Sequence, residues 1–98
     1  MIVEFSERAE NDLEQIADHI AKDNPRRALS FVQELRDKCE ALAHRPSAFP
    51  LVHRYESHGI RRRVHGNYLI FYRAEASRIV VIHILNGAMD YAAILFED

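Results

Sequence analysis

The 98-residue sequence predicts an α+β fold. Its expected order is an N-terminal strand, an antiparallel αα-hairpin, a three-stranded antiparallel sheet and a short C-terminal helix. Three observations predict it. Apolar residues recur at helical spacing in two blocks separated by Asp23-Asn24-Pro25. The pair Gly66-Asn67 divides two runs rich in β-branched and aromatic residues. A further run, IVVIHIL from Ile79 to Leu85, is apolar on both sides, as in a strand covered on both faces.

Each element has a local reason. MIVEF is short, apolar and partly alternating, and reads as a strand. Ser6 is placed to cap the next helix, with Glu7 and Glu10 near its positive end. Ala9, Leu13, Ile16, Ala17 and Ile20 give that helix an apolar stripe. At Asn24-Pro25 the chain stops and restarts. Proline disfavours helix at the residue before it, asparagine caps, and Pro25 suits the first helical position. Ala28, Val32, Leu35, Cys39 and Leu42 stripe the second helix. Two amphipathic helices joined by so few residues pack antiparallel. Arg45-Pro46 ends the pair, and residues 46–59 read as an irregular connection. The expected strands are Ile60–His65, Tyr68–Arg73 and Ile79–Leu85. Gly66 supplies the positive φ at the first central position of a type II′ turn. Asp90 is placed to cap a tail helix in which Tyr91, Ile94 and Leu95 share a face.

The two-residue turn sets the hairpin register: His65 opposite Tyr68, Val64 opposite Leu69, Arg62 opposite Phe71, Arg61 opposite Tyr72. Side chains alternate faces. One face gathers Ile60, Arg62, Val64, Leu69 and Phe71, and is expected to pack on the helices. The other gathers Arg61, Arg63, His65, Tyr68, Ile70 and Tyr72. That mixture suits cation–π contacts and an anionic or amphipathic partner. Arginine and tyrosine stems shielding the sheet are the plainer alternative.

Composition narrows the function classes. One domain is the expectation at this length. With 48% hydrophobic and 29% charged residues the chain reads as a soluble globular protein. No apolar run approaches the roughly 18 residues of a membrane span. The start turns acidic after five residues and is not expected to be a signal peptide. Cys39 is the only cysteine, which fits a reducing cytoplasm, and its place on the apolar stripe makes it an inert core thiol. From Met1 to Glu40 ten acids face six bases, a balance of −4, whereas from Val52 to Arg73 five arginines face one acid, a balance of +4. This asymmetry points to a local anion-facing surface, not to a general nucleic-acid binder. Glu7, Glu10, Glu14 and Asp18 lie off the core stripe and read as a solvated face. The six histidines lack metal-ligand spacing, and no phosphate loop or dinucleotide fingerprint is present, so no metal and no cofactor is expected. One catalytic set is conceivable: Arg61, Arg63 and Arg73 steadying a phosphate while His83 or Tyr91 moves protons in phosphodiester cleavage. The absence of lysine after Lys38 and the slightly acidic balance weigh against docking on RNA.

Several stretches together resemble a known family: AENDLEQIADHI at 9–20, DNPRRA at 23–28, GIRR at 59–62, YLIFYR at 68–73 and ILNGAMD at 84–90. Over nearly its whole length the chain resembles the ParE branch of the RelE/ParE superfamily, small toxins of bacterial type II toxin–antitoxin modules. The family pattern near the end is close to VLHGARD. Here Gly87, Ala88 and Asp90 are kept, but Asn86 stands for the usual histidine and Met89 for the usual arginine. The resemblance implies a cytoplasmic toxin held inactive by a cognate antitoxin, with DNA gyrase as target, reached by protein–protein contact without catalysis or direct specific nucleic-acid binding. The alternatives are a RelE-like ribosome-dependent mRNA endoribonuclease, using the set Arg61, Arg63, Arg73, His83 and Tyr91, and a non-toxic binding partner of the antitoxin. Antitoxin tails in this superfamily are amphipathic and disordered until bound. The expected seat for such a tail is Arg61, Arg63, Tyr68, Tyr72 and Arg73.

Overall fold

The computed structural model describes residues 1–96. Its elements are β1 (Ile2–Phe5), α1 (Glu7–Ala21), α2 (Pro25–Glu40), β2 (Ile60–His65), β3 (Tyr68–Ala74), β4 (Arg78–Asn86) and α3 (Tyr91–Phe96). Short 3₁₀ turns occupy Ala41–His44 and Glu56–His58. The local signals act as the sequence implies. Ser6 Oγ accepts the Ala9 N–H at 3.0 Å and donates to the Ile82 carbonyl at 2.7 Å, so one hydroxyl caps α1 and ties it to β4. Asn24 Oδ1 accepts the Arg27 N–H at 3.0 Å, and Pro25 opens α2. Gly66 has φ 59°, the left-handed value its turn demands. No described helix is long and apolar enough to cross a membrane.

The sheet has four strands in the order β1-β4-β3-β2. β2–β3 and β3–β4 are antiparallel, and the β2–β3 register is the one the two-residue turn sets. β1 joins the far edge parallel to β4, with Ile2 paired to Arg78 and Phe5 to Val81. The sheet is therefore mixed and one strand wider than the three consecutive strands suggest. The pairing between β3 and β4 shifts between Phe71 and Tyr72. The bulge skips Ile82 and bends β4 at that point.

One expectation is reversed. The helices cover the face that holds Ile70 and Tyr72, not the face that holds Leu69 and Phe71. Ile70, Tyr72, Ile79, Val81 and Ile84 pack with Ala9, Leu13, Ile16, Leu35, Cys39 and Leu42 in the main core. Leu69, Phe71, Ile60, Leu85 and Val52 form a second core on the outer face, under Tyr55 and the side chains of α3. The Leu69–Phe71 face is the more apolar of the two, but the other carries Ile70, Tyr68 and Tyr72, and β4 is apolar on both, so alternation alone leaves the choice open. Arg61 and Arg63 do not block the helix-facing side, because their guanidiniums leave the core at its margin. Val80 and Ile82 are only half-buried on the outer face.

Burial pushes the Cys39 thiol up to about 12, and it raises the Tyr72 phenol above its ordinary range. Both groups are neutral in the fold and ionise more readily in the unfolded chain. Their contribution to stability is complete below the ordinary thiol value of 9.0 and is lost as pH climbs toward 12. The urea midpoint should decline steadily over that range, and a thiol reagent should modify Cys39 only after unfolding. A flat midpoint, or rapid modification of the native protein, would contradict this burial.

Candidate functional site

The arginines of β2 are used inside the fold. Arg61 Nη1 donates to the Phe49 carbonyl at 2.7 Å, and Arg63 Nη1 donates to the Lys38 carbonyl at 3.1 Å. Lys38 lies in the last turn of α2, where carbonyls lack helical partners and favour a cation. The Arg63 guanidinium also lies 4.7 Å from the centroid of the Phe49 ring. The Tyr72 hydroxyl donates to the Pro46 carbonyl at 2.8 Å, and its side chain is fully buried. Three residues of the expected antitoxin seat thus clamp the irregular segment between α2 and β2. Tyr68 is half-buried beside α1, and Arg73 is exposed on the outer face. These five side chains do not share one surface.

The conceivable catalytic set is divided in the same way. Arg61 and Arg63 lie on the helix side. Arg73 and Tyr91 lie on the outer side, where Tyr91 packs 5.1 Å from the Phe71 ring centroid. His83 sits opposite Phe71, lines a cavity with Ile94 of α3, and reaches α1 at the edge of the sheet. Its Nδ1 stands 2.6 Å from Asp12 Oδ2, which also accepts the Ile84 N–H at 2.8 Å. A carboxylate that already accepts a backbone N–H takes a second donor, so Nδ1 carries the imidazole proton. The reason for this pair is the length of β1. β1 ends at Phe5 while β4 runs on to Asn86, leaving an edge N–H without a strand. Asp12 supplies the missing acceptor. Nothing in the sequence marked Asp12: it borders the core stripe of α1, and its partners lie more than seventy residues away.

A cleft of about 180 Å³ opens between α1 and the end of β4, lined by Asp12, Ile16, His19, Tyr68, Asn86 and Met89. It contains both positions at which the chain departs from the family pattern. Asn86 Oδ1 accepts the Ala88 N–H at 2.9 Å, bracing the turn, and Met89 is half-exposed. An amide and a thioether offer hydrogen bonds and packing, but neither a base nor a cation. At the hairpin end, Glu34 joins α2 to β2 by bonding both Arg27 and His65. Arg27 first, and then His65, hold its carboxyl below the usual range.

The outer face is of a different kind. Arg62 is half-buried beside Phe71, Val64 is 60% exposed, and Arg73 is exposed. α3 covers part of this face, with Phe96 stacked on Tyr55 at 4.0 Å between ring centroids. Every described residue of α3 is only half-buried. Among the described residues, neither Arg62 nor Arg73 pairs with an acid.

Asp12→Ala strands two buried donors, the Ile84 N–H and the His83 Nδ1–H. It should cost about 3 kcal/mol in urea unfolding, whereas Asp12→Asn, whose oxygen still accepts one donor, should cost less. A loss under about 0.5 kcal/mol, the range of ordinary surface changes, would show that the pair does not hold α1 to β4.

Comparison with known proteins agrees with this architecture. Residues 3–91 match the family model described as the ParE toxin of the type II toxin–antitoxin system parDE. A solved structure described as a chromosomal ParDE TA system from P. aeruginosa superposes with a TM-score of 0.65 at 24% identity, covering 88% of this chain and 95% of that one. The likeness to that structure is one of fold. No curated protein matches the sequence. The family match spans most of the chain, both cores and the Asn86–Met89 turn, and the chain therefore belongs to the ParE toxin family of type II toxin–antitoxin systems.

Proposed function

We propose that this chain is a cytoplasmic toxin that inhibits DNA gyrase by protein–protein contact and is neutralised by a cognate antitoxin. The observation that carries the reading is the disposition of its cations within a ParE fold. Phosphodiester cleavage calls for positive groups gathered around one phosphate beside a proton carrier. Here Arg61 and Arg63 are committed to carbonyls on one side of the sheet, while Arg73 lies on the other. Asn86 and Met89 supply no charge to the cleft beside His19 and Tyr68. A toxin acting through its surface needs no such convergence. The exposed inter-helix turn Asp23–Arg27 and the tail from Asp90, which lies half-buried against Tyr55 and Phe71, are the segments from which gyrase contacts would come. Of that tail, Glu97 and Asp98 lie outside the described residues.

The antitoxin seat in this reading is the outer face. Arg62 and Arg73 lie diagonally across β2 and β3, since Arg62 pairs with Phe71 and Arg73 with Ile60. Exposed Val64 and half-buried Val80 and Ile82 adjoin them. Such a surface suits a segment with both acids and apolar residues, which a disordered antitoxin tail supplies as it folds on binding. Arg61, Arg63 and Tyr72 contribute indirectly, by holding the segment that flanks this face. The ParDE name of the solved relative supports a paired antitoxin for this chain as well.

Purified protein should stall supercoiling by gyrase and trap cleaved DNA, while leaving mRNA on translating ribosomes intact. Codon-site mRNA cuts without an effect on gyrase, or silence in both assays, would overturn the proposal. Against the protein encoded by the adjacent reading frame, Arg62→Ala with Arg73→Ala should weaken binding about tenfold in titration calorimetry, more so at low salt. Arg61→Ala should lower thermal stability and change that affinity less. Equal affinity for the Arg62/Arg73 double variant would place the antitoxin elsewhere.

A further inference from the structure

The two edges of the sheet are treated differently. On β2, the segment before the strand covers the outer groups: the Val52 N–H donates to the Ile60 carbonyl at 2.9 Å and the Arg62 N–H to the Pro50 carbonyl at 3.0 Å. β1 forms the opposite edge. The Ser6 N–H donates to the Val81 carbonyl at 2.9 Å. Alternate residues of a strand point their backbone groups to the same side, so Ile2, Glu4 and Ser6 bond to β4. The N–H and C=O groups of Val3 and Phe5 therefore point away from the sheet. Among the described residues β1 pairs with β4 alone, and no turn or loop bond takes these groups.

Open edges usually carry a proline, a lysine, a bulge or an inward charge that discourages pairing. β1 is short, at four residues, which limits pairing, but it carries no proline, lysine or bulge. Its one charge, Glu4, is bonded to Arg78 at 2.7 Å. Two of the exposed large apolar side chains also lie at this edge, Met1 at 57% and Ile2 at 65% exposure. We propose that β1 is a self-pairing edge: two copies of this chain join through it, antiparallel, into a continuous eight-stranded sheet.

The register follows from charge and periodicity. Two-fold pairings that bond Val3 and Phe5 are centred either on Glu4 or on Val3. Centring on Glu4 sets two carboxylates directly opposite, which is unfavourable. Centring on Val3 sets Val3 against its own copy, Met1 opposite Phe5, and exposed Ile2 opposite Glu4, whose charge Arg78 already offsets. This contact is isologous and closes on itself. It spans only about five residues a side, so the dimer is weak and forms with rising concentration. The pairing is independent of the gyrase reading.

The test is sedimentation velocity on the full chain, tagged at its C-terminus, over a concentration series. The wild type should pass from monomer to dimer. Val3→Pro removes an outward N–H that β4 does not use, at an edge position where proline is tolerated. It should weaken the dimer by about tenfold or more while leaving the circular dichroism spectrum unchanged. Ile2→Glu, which opposes like charges and spares the backbone, should weaken it too, and Ile2→Lys should tighten it in a salt-sensitive way. A wild type that stays monomeric up to about 1 mM would overturn the proposal and leave the edge for a foreign strand. A dimer that survives both Val3→Pro and Ile2→Glu would overturn it as well.

Discussion

The fold depends on β4 being covered on both faces and engaged along both edges. Ile79, Val81 and Ile84 face the helices, while Leu85 and Ile82 face the outer cluster. A strand that is apolar on both sides cannot sit on the surface of a two-layer protein, so something must lie on each face. The helical hairpin supplies one cover, and the tail with the segment around Val52 and Tyr55 supplies the other. Along the edges, β3 takes one side except at the Ile82 bulge. β1 takes the beginning of the other, and the side chains of Ser6 and Asp12 take over where β1 stops. The first helix is thereby attached to the centre of the sheet by two polar contacts as well as by its apolar stripe.

The position of the arginines follows from the same arrangement. A guanidinium on a strand that faces a core is tolerated when its long stem lies along apolar surface and its head reaches carbonyls at the rim. Arg61 and Arg63 do this, and the carbonyls they meet belong to the helix end and loop that would otherwise be tied down poorly. Their charge therefore supports local order. Arg62 and Arg73 lie one strand position out of phase with those two and, among the described residues, pair with no acid. A one-residue shift in phase thus separates a structural arginine from an available one.

The cleft beside α1 gives the Asn86 and Met89 departures a physical meaning. Both residues line it, and neither can donate a proton or neutralise an anion there. The family's fold survives the exchange because the turn is held by backbone and amide bonds: the Gly87 N–H to the Asn67 carbonyl at 2.8 Å, and Asn86 Oδ1 from the Ala88 N–H. Chemistry at this position is therefore separable from architecture.

Most local structure was determined by the sequence alone. The Ser6 and Asn24 caps, the Pro25 restart, both helical stripes, the Gly66 turn and the β2–β3 register are short-range consequences of side-chain chemistry and backbone sterics, and each is present in the structure. The resemblance to the ParE branch was also carried by short stretches of sequence. Tertiary structure decided three other matters. β1 pairs parallel with β4, the helices choose the Ile70–Tyr72 face, and Asp12 meets His83. Each depends on residues far apart in the chain, where loop closure and competing burial, not local preference, set the outcome. Alternation along a strand states which residues travel together. Only the packed molecule states which side they are on, because both faces of this sheet were apolar enough to be buried.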